Sequence, residues 1–156
     1  MKEKILFELR SKVDTELAKI KQSYETTKNL VQNGDLKSDG KYDTRSTEAN
    51  YLADGQRQRI ADLEQEQELL TDINISKKQK SVSIGSLVTL NLNDNIRKYF
   101  IAPTAGGTML NIDGEAVLVI SVFSPIGDAA LGNNAGETFE LELNGQSREY
   151  QVVDIS

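Results

Sequence analysis

The chain has 156 residues, enough for one domain or two small ones, and its 24 acidic against 18 basic side chains leave a net charge of −6. No run of lysines or arginines is present to neutralise phosphates, which argues against stable DNA binding as the main activity. Cysteine and histidine are both missing, which excludes disulfides, thiolate metal sites and imidazole bases, so any chemistry must rest on carboxylates, hydroxyls or lysines.

The chain opens with MKEKILFELRSK, charged throughout and without the apolar core of a signal peptide. No stretch approaches the ~18 apolar residues of a membrane span, so the expectation is a soluble, cytoplasmic protein with no membrane contact. From Lys2 to about Val31, apolar or weakly polar residues recur at Leu6, Leu9, Val13, Leu17, Ile20, Tyr24, Thr27 and Val31, in steps of three and four. That is one helical stripe, uninterrupted by glycine or proline, and it predicts a single helix of about 30 residues, roughly 45 Å long.

The next stretch, NGDLKSDGKYDTR from Asn33 to Arg45, packs three aspartates and two glycines between helical segments. Such residues cap helices and tolerate unusual dihedrals, so a turn is the ordinary reading. A second stripe then runs through Ala49, Leu52, Gln56, Ile60, Leu63, Gln67, Leu70 and Ile73, with Ser46 or Thr47 as the expected N-cap. Both stripes are narrow, about two apolar positions in seven, which is the seam of a coiled coil. A short connection forces the two helices to run antiparallel, with 33–45 at the tip of the hairpin.

After Ile75 the polar, basic segment SKKQKS marks a linker over 76–81. Beyond it the period falls to two in SVSIGSLVTLNL, IRKYFIAP, EAVLVISVF, ETFELEL and REYQVVDI, about five strands of a small antiparallel sheet. Within SPIGDAALGNNAGE, Pro125 suits a first helical turn and Gly132 a helix stop, so one short helix is expected over Pro125 to Leu131. The predicted class is therefore α+β: an antiparallel coiled-coil hairpin over 1–75, the linker, and a β domain over 82–156. Each half carries a net charge of −3, from 12 basic against 15 acidic residues through Ile75 and 6 against 9 afterwards, so charge asymmetry identifies no partner.

Nearly the entire chain resembles the Gre family of bacterial transcript-cleavage factors, GreA and GreB. The more specific match is VFSPIGDAALGNNAGETFEL, where Ser124, Pro125, Ile126, Leu131, Gly132, Gly136 and Glu137 occupy the family's positions, followed by the closing strand SREYQVVDI. The resemblance implies that the C-terminal domain is FKBP-like and docks on RNA polymerase near the secondary channel, with Ser124, Pro125, Ile126 and Gly127 as the partner-binding segment. It implies that the hairpin enters the channel and that its tip acids help hold a second Mg²⁺ and a water at the polymerase active site, close to the 3′ end of the nascent RNA. The polymerase, not this chain, then cleaves the RNA. No cofactor of its own is implied, and the protein is expected to be monomeric.

The family tip reads approximately Gly-Asp-Leu-[Lys/Arg]-Glu-Asn-x-Glu-Tyr, and Gly34 to Tyr42 align to it without a gap. Asp35 keeps the first acidic position. Ser38 stands where the family has its second acid, Asp39 lies beside it, and Lys41 replaces another acid. Asp35 and Asp39 are therefore the candidate catalytic and Mg²⁺-ligating residues, shared with the polymerase. One reading is that this pair stimulates cleavage; the other is that the protein occupies the channel without promoting hydrolysis and competes with cleavage-competent factors. A peptidyl-prolyl isomerase and a pure coiled-coil interaction protein are the remaining classes. The first calls for an aromatic-lined cavity, whereas Tyr99, Phe100, Phe123, Phe139 and Tyr150 include several spaced as strand core.

Overall fold

The computed structural model describes residues 1–32 and 44–156. Two helices, α1 (Lys2–Gln32) and α2 (Thr44–Thr71), precede six strands and a third helix. Helix α2 starts ahead of the expected caps, so Ser46 and Thr47 lie inside its first turn, where N–H groups lack intrahelical partners and small polar residues are tolerated. By contacts the chain forms two compact units: Ser11–Glu68, and Met1–Arg10 together with Leu69–Ser156.

In the first unit the two helices pair through a thin seam. Val13, Leu17 and Thr27 are buried on α1, and Ala49, Gln56 and Leu63, seven residues apart, are buried on α2. Leu52, expected in the seam, is 55% exposed, whereas Ile60 and Gln67 are half-buried, so alternate positions of the α2 stripe close only partly. Polar contacts flank the seam: Arg59 Nη2 donates to Glu16 Oε1 at 2.5 Å, Gln67 Nε2 to Asp14 Oδ1 at 2.5 Å, and Lys21 Nζ lies 3.6 Å from Glu64 Oε1. The partners on α1 fall within 14–21 and those on α2 within 59–67, the part of α2 far from the connection between the helices, as an antiparallel hairpin requires.

The second unit is built on strands β1 (Leu87–Leu92), β2 (Asn95–Ala102), β3 (Met109–Ile112), β4 (Glu115–Ser121), β5 (Thr138–Leu143) and β6 (Gln146–Ile155), in the order β3-β4-β2-β1-β6-β5. Five strands were expected and six are present; the addition is β3, four residues between Gly107 and Gly114. Nor is the sheet wholly antiparallel: β3 occupies the edge, pairs with β4 and turns the chain so that β4 returns parallel to β2. Asn93-Asp94, Asp113-Gly114 and Asn144-Gly145 close three hairpins, each with positive φ at both residues, the two-residue turn whose twist matches the strands.

Helix α3 (Pro125–Ala130) contributes Ala130 to a core with Val88, Leu90, Tyr99, Ile101, Ile120, Val152 and the stacked rings of Phe139 and Tyr150, 5.2 Å between centroids. By register Phe100, Val117, Val119, Leu110 and Ile112 point to the other side, and all are buried. The start of α1 lies along that side. Glu3, Lys4, Phe7 and Glu8 share a groove with Asn111, Ile112 and Asp113, and Lys4 Nζ donates to both Asp113 carboxylate oxygens at 2.8 Å. Ile5, Leu6 and Leu9 are buried in this unit along with Leu70 and Ile73.

Candidate functional site

Strand β4 ends at Ser121, and the chain must turn within three residues to start α3 at Pro125. Ser124 is the N-cap, with extended dihedrals (φ −77°, ψ 157°), and its Oγ accepts the Gly127 N–H at 3.1 Å. That satisfies one of the amides a helix start leaves without a partner. The same hydroxyl donates to the Ser121 carbonyl at 2.7 Å, and the Ser124 N–H donates to it at 3.0 Å. Pro125 follows, where its fixed φ suits a helix and its missing N–H loses nothing.

Gly127 is required here by space. A Cβ at this position would lie 2.0 Å from the Ser121 carbonyl oxygen, so the first turn of α3 closes onto the end of β4 only with glycine. At the far end Asn133 Nδ2 donates to the carbonyls of Ala129 and Ala130 at 3.0 and 2.9 Å, and the Gly132 N–H donates to Val82 O at 2.9 Å. Both ends of this short helix are thus tied down.

The structure brings Ser124, Pro125, Ile126 and Gly127 together at this one junction and divides their tasks. Ser124 and Gly127 hold the turn, Ile126 packs partly against the core, and Pro125 is exposed. Phe123, which closes the expected strand EAVLVISVF, is 83% exposed. The strand stops at Ser121: Val122 still reaches the core beside Ile120, and Phe123 falls outside it. Its backbone N–H is held at 3.1 Å by Ser121 Oγ.

Titrating groups in the second unit have structural causes for their shifts. Burial pushes the Tyr99 hydroxyl up, with Tyr150 adding to it and Arg97 opposing. A hydrogen bond from Lys4, and then its charge, hold the Asp113 carboxyl below the ordinary range. Among the described residues no group of three or more acids is gathered to hold a metal, and no helix is long and apolar enough to cross a membrane. Asp35 and Asp39, with Ser38 and Lys41, lie outside the described residues.

A family model described as transcription elongation factor, GreA/GreB, C-terminal, matches residues 77–156. Transcription elongation factor GreA of Lachnoclostridium phytofermentans is 26% identical over 149 residues, covering 91% of this chain and 84% of its own. GreA of Brucella anthropi is 26% identical over 154 residues, covering 98% and 91%. Among solved structures, GreA factor homolog 1 (Gfh1) of Thermus thermophilus is 20% identical over 94% of each chain with a TM-score of 0.38. Thermus aquaticus Gfh1 is also 20% identical, over 94% of this chain and 93% of its own, with a TM-score of 0.40. The matched segment, running through the whole sheet and α3, spans more than half of the residues, and the chain belongs to the GreA/GreB family of transcription elongation factors.

Proposed function

We propose that the protein binds RNA polymerase at its secondary channel and acts on paused or backtracked elongation complexes, docking through the unit that holds the sheet and bringing Asp35 to the polymerase active site. The observation that carries this reading is the family match over residues 77–156, joined to Gly34-Asp35-Leu36-Lys37 and Tyr42 at the family's tip positions. The protein supplies groups and the polymerase supplies the chemistry. Asp35 and Asp39 offer hard oxygen donors of the kind Mg²⁺ takes, and the cation, when bound with the polymerase's own ligands, supplies Lewis acidity for hydrolysis of the RNA.

A second reading rests on Ser38, which places a hydroxyl where the family carries its second acid. A Mg²⁺ site shared between two proteins that loses one carboxylate holds its ion poorly, and the chain then occupies the channel without stimulating cleavage. One experiment separates the two. The purified protein is added to a backtracked complex of its cognate polymerase with Mg²⁺, and the transcript 3′ end is followed. Shortening that disappears in Asp35→Ala supports stimulation, binding without shortening supports the non-cleaving regulator, and failure to bind overturns both.

A further inference from the structure

The sheet has two edges, β3 and β5, and they are protected differently. Strand β5 alternates the buried Phe139 and Leu141 with the exposed Glu140 and Glu142, and charge of that kind discourages another strand from pairing with it. Strand β3, Met109-Leu110-Asn111-Ile112, carries no charge and no proline, and pairs with β4 without a register shift. The two-residue turn Asp113-Gly114 makes Ile112 and Glu115 a hydrogen-bonded pair, and alternation then directs the backbone groups of Ile112 and Leu110 toward β4. Thr108 continues that series, its carbonyl accepting the Val119 N–H at 2.8 Å. Met109 and Asn111 therefore turn their N–H and C=O groups away from β4, along the open edge.

The start of α1 builds a wall beside that edge. Asn111 and Ile112 leave opposite faces of the sheet, so the groove of about 540 Å³ that both share with Glu3, Phe7 and Glu8 opens along the edge itself. Phe7 is 68% exposed, although Ile5, Leu6 and Leu9 around it are buried. Glu3 lies one helical turn before it and Glu8 directly after, so carboxylates flank the ring. Lys4 is bonded to Asp113, while Glu3 and Glu8 have no cationic partner among the described residues. The other side of the edge has the opposite character. Met109, 56% exposed, lines a hollow there with Ala116 and Leu118, and its charges are Arg97 and the Lys98–Glu115 pair.

We infer that β3 is a strand-addition site for an extended segment of a partner protein, one that places basic side chains on the α1 side and apolar side chains on the Met109 side. Main-chain bonds to Met109 and Asn111 supply affinity that any sequence can draw on, and the side chains supply the choice. A lysine or arginine over Phe7 gains the face of the ring and the Glu3 and Glu8 carboxylates together. A second copy of this chain fits poorly, because pairing two β3 strands antiparallel puts both α1 starts on one face and brings their unpaired carboxylates together, and like charges repel. The site lies away from Ser124–Gly127 and does not depend on polymerase binding.

The test titrates the full ¹⁵N-labelled chain with a blocked peptide of alternating lysine and valine, about six residues long as strands usually are, and follows amide shifts and the affinity. The Met109 and Asn111 amides should move most, and those of β5 should stay in place. Phe7→Ala should weaken binding about ten-fold while keeping the wild-type Tm, because an exposed ring supports little packing. Glu3→Gln with Glu8→Gln should weaken it several-fold, an effect that fades at high salt. Tyr51→Ala, a control 74% exposed in the helical unit, should leave it within about two-fold. Methylating the valine nitrogens of the peptide, which face β3 when lysine faces α1, should abolish binding. Amides of Met109 and Asn111 that do not move at millimolar peptide overturn strand addition. A glutamate–valine peptide that binds as tightly overturns the basic partner. Shifts of the same amides with protein concentration alone would assign the edge to a second copy and overturn the proposal.

Discussion

The two units solve burial in opposite ways. The paired helices over Ser11–Glu68 hide a line of widely spaced residues, among them the polar Gln56 and Thr27, while the sheet buries side chains on both of its faces. The helical seam is a single layer between two helices, so each of its residues has few neighbours to lose. A residue such as Phe100 is 0% exposed inside a layered core and has many. The contrast teaches where intolerance to substitution should concentrate, and it predicts both sizes and signs.

The largest effect should come from Phe100→Ala, a loss of about 3–5 kcal/mol in urea denaturation, against about 2–3 kcal/mol for Leu63→Ala at an equally buried seam position. The difference measures how far each region can close over a void. Equal losses would show that the helices are packed as tightly as the sheet and would break the comparison.

Glycine gives the sharpest contrast because the sign should reverse. Gly127→Ala drives a Cβ into the Ser121 carbonyl and should destabilise by about 3 kcal/mol, the upper end for overpacking, since backbone rather than a flexible side chain must yield. Gly55 lies inside α2 with nothing within 4 Å of the place a Cβ would take, so Gly55→Ala should stabilise by about 0.5–1 kcal/mol through helix propensity alone. Between these lies Gln56→Leu. The Gln56 Oε1 is buried without a hydrogen-bond partner, and replacing it with an apolar group should raise stability by about 1–2 kcal/mol, measured in the same denaturation series.

Much of this architecture is legible in the sequence because periodicity reports burial directly. The steps from Leu6 to Leu17 read as a stripe, and all four residues are buried. Ile5 escapes that reading because it lies off the coiled-coil ladder; it is buried because the first turns of α1 belong with the sheet, a long-range contact that local spacing does not encode. Leu52 errs in the other direction: it has the right spacing, but its side chain is exposed. Strand β3 hides between Gly106-Gly107 and Asp113-Gly114, where glycine reads as loop, and parallel pairing of β2 with β4 is a property of the crossover rather than of either strand.

At the candidate site, Ser124 and Pro125 announce a helix start through cap chemistry alone. The spatial need for Gly127 and the exposure of Phe123 depend on where β4 stops, which the alternating run EAVLVISVF does not disclose.

The smallest expected effect tests what holds α1 to the sheet. Lys4 lowers the pKa of Asp113 in the folded chain, so the pair stabilises at pH above the unfolded carboxyl value of about 3.9 and that contribution is lost as pH falls through the lower folded value. Asp113→Asn should therefore reduce the Tm slightly near neutral pH, and the difference from wild type should shrink away as pH falls through the lowered folded value of Asp113. Asparagine suits the positive φ of 53° at this position, so the turn itself is preserved. Both partners are exposed, and about 1 M salt should erase the neutral-pH difference as well. A Tm deficit that persists in acid and in salt would mean that residue 113 acts through turn geometry rather than charge. If the deficit vanishes under both conditions, the first turns of α1 stay on the sheet without the ion pair, and the burial of Ile5, Leu6 and Leu9 is what keeps them there.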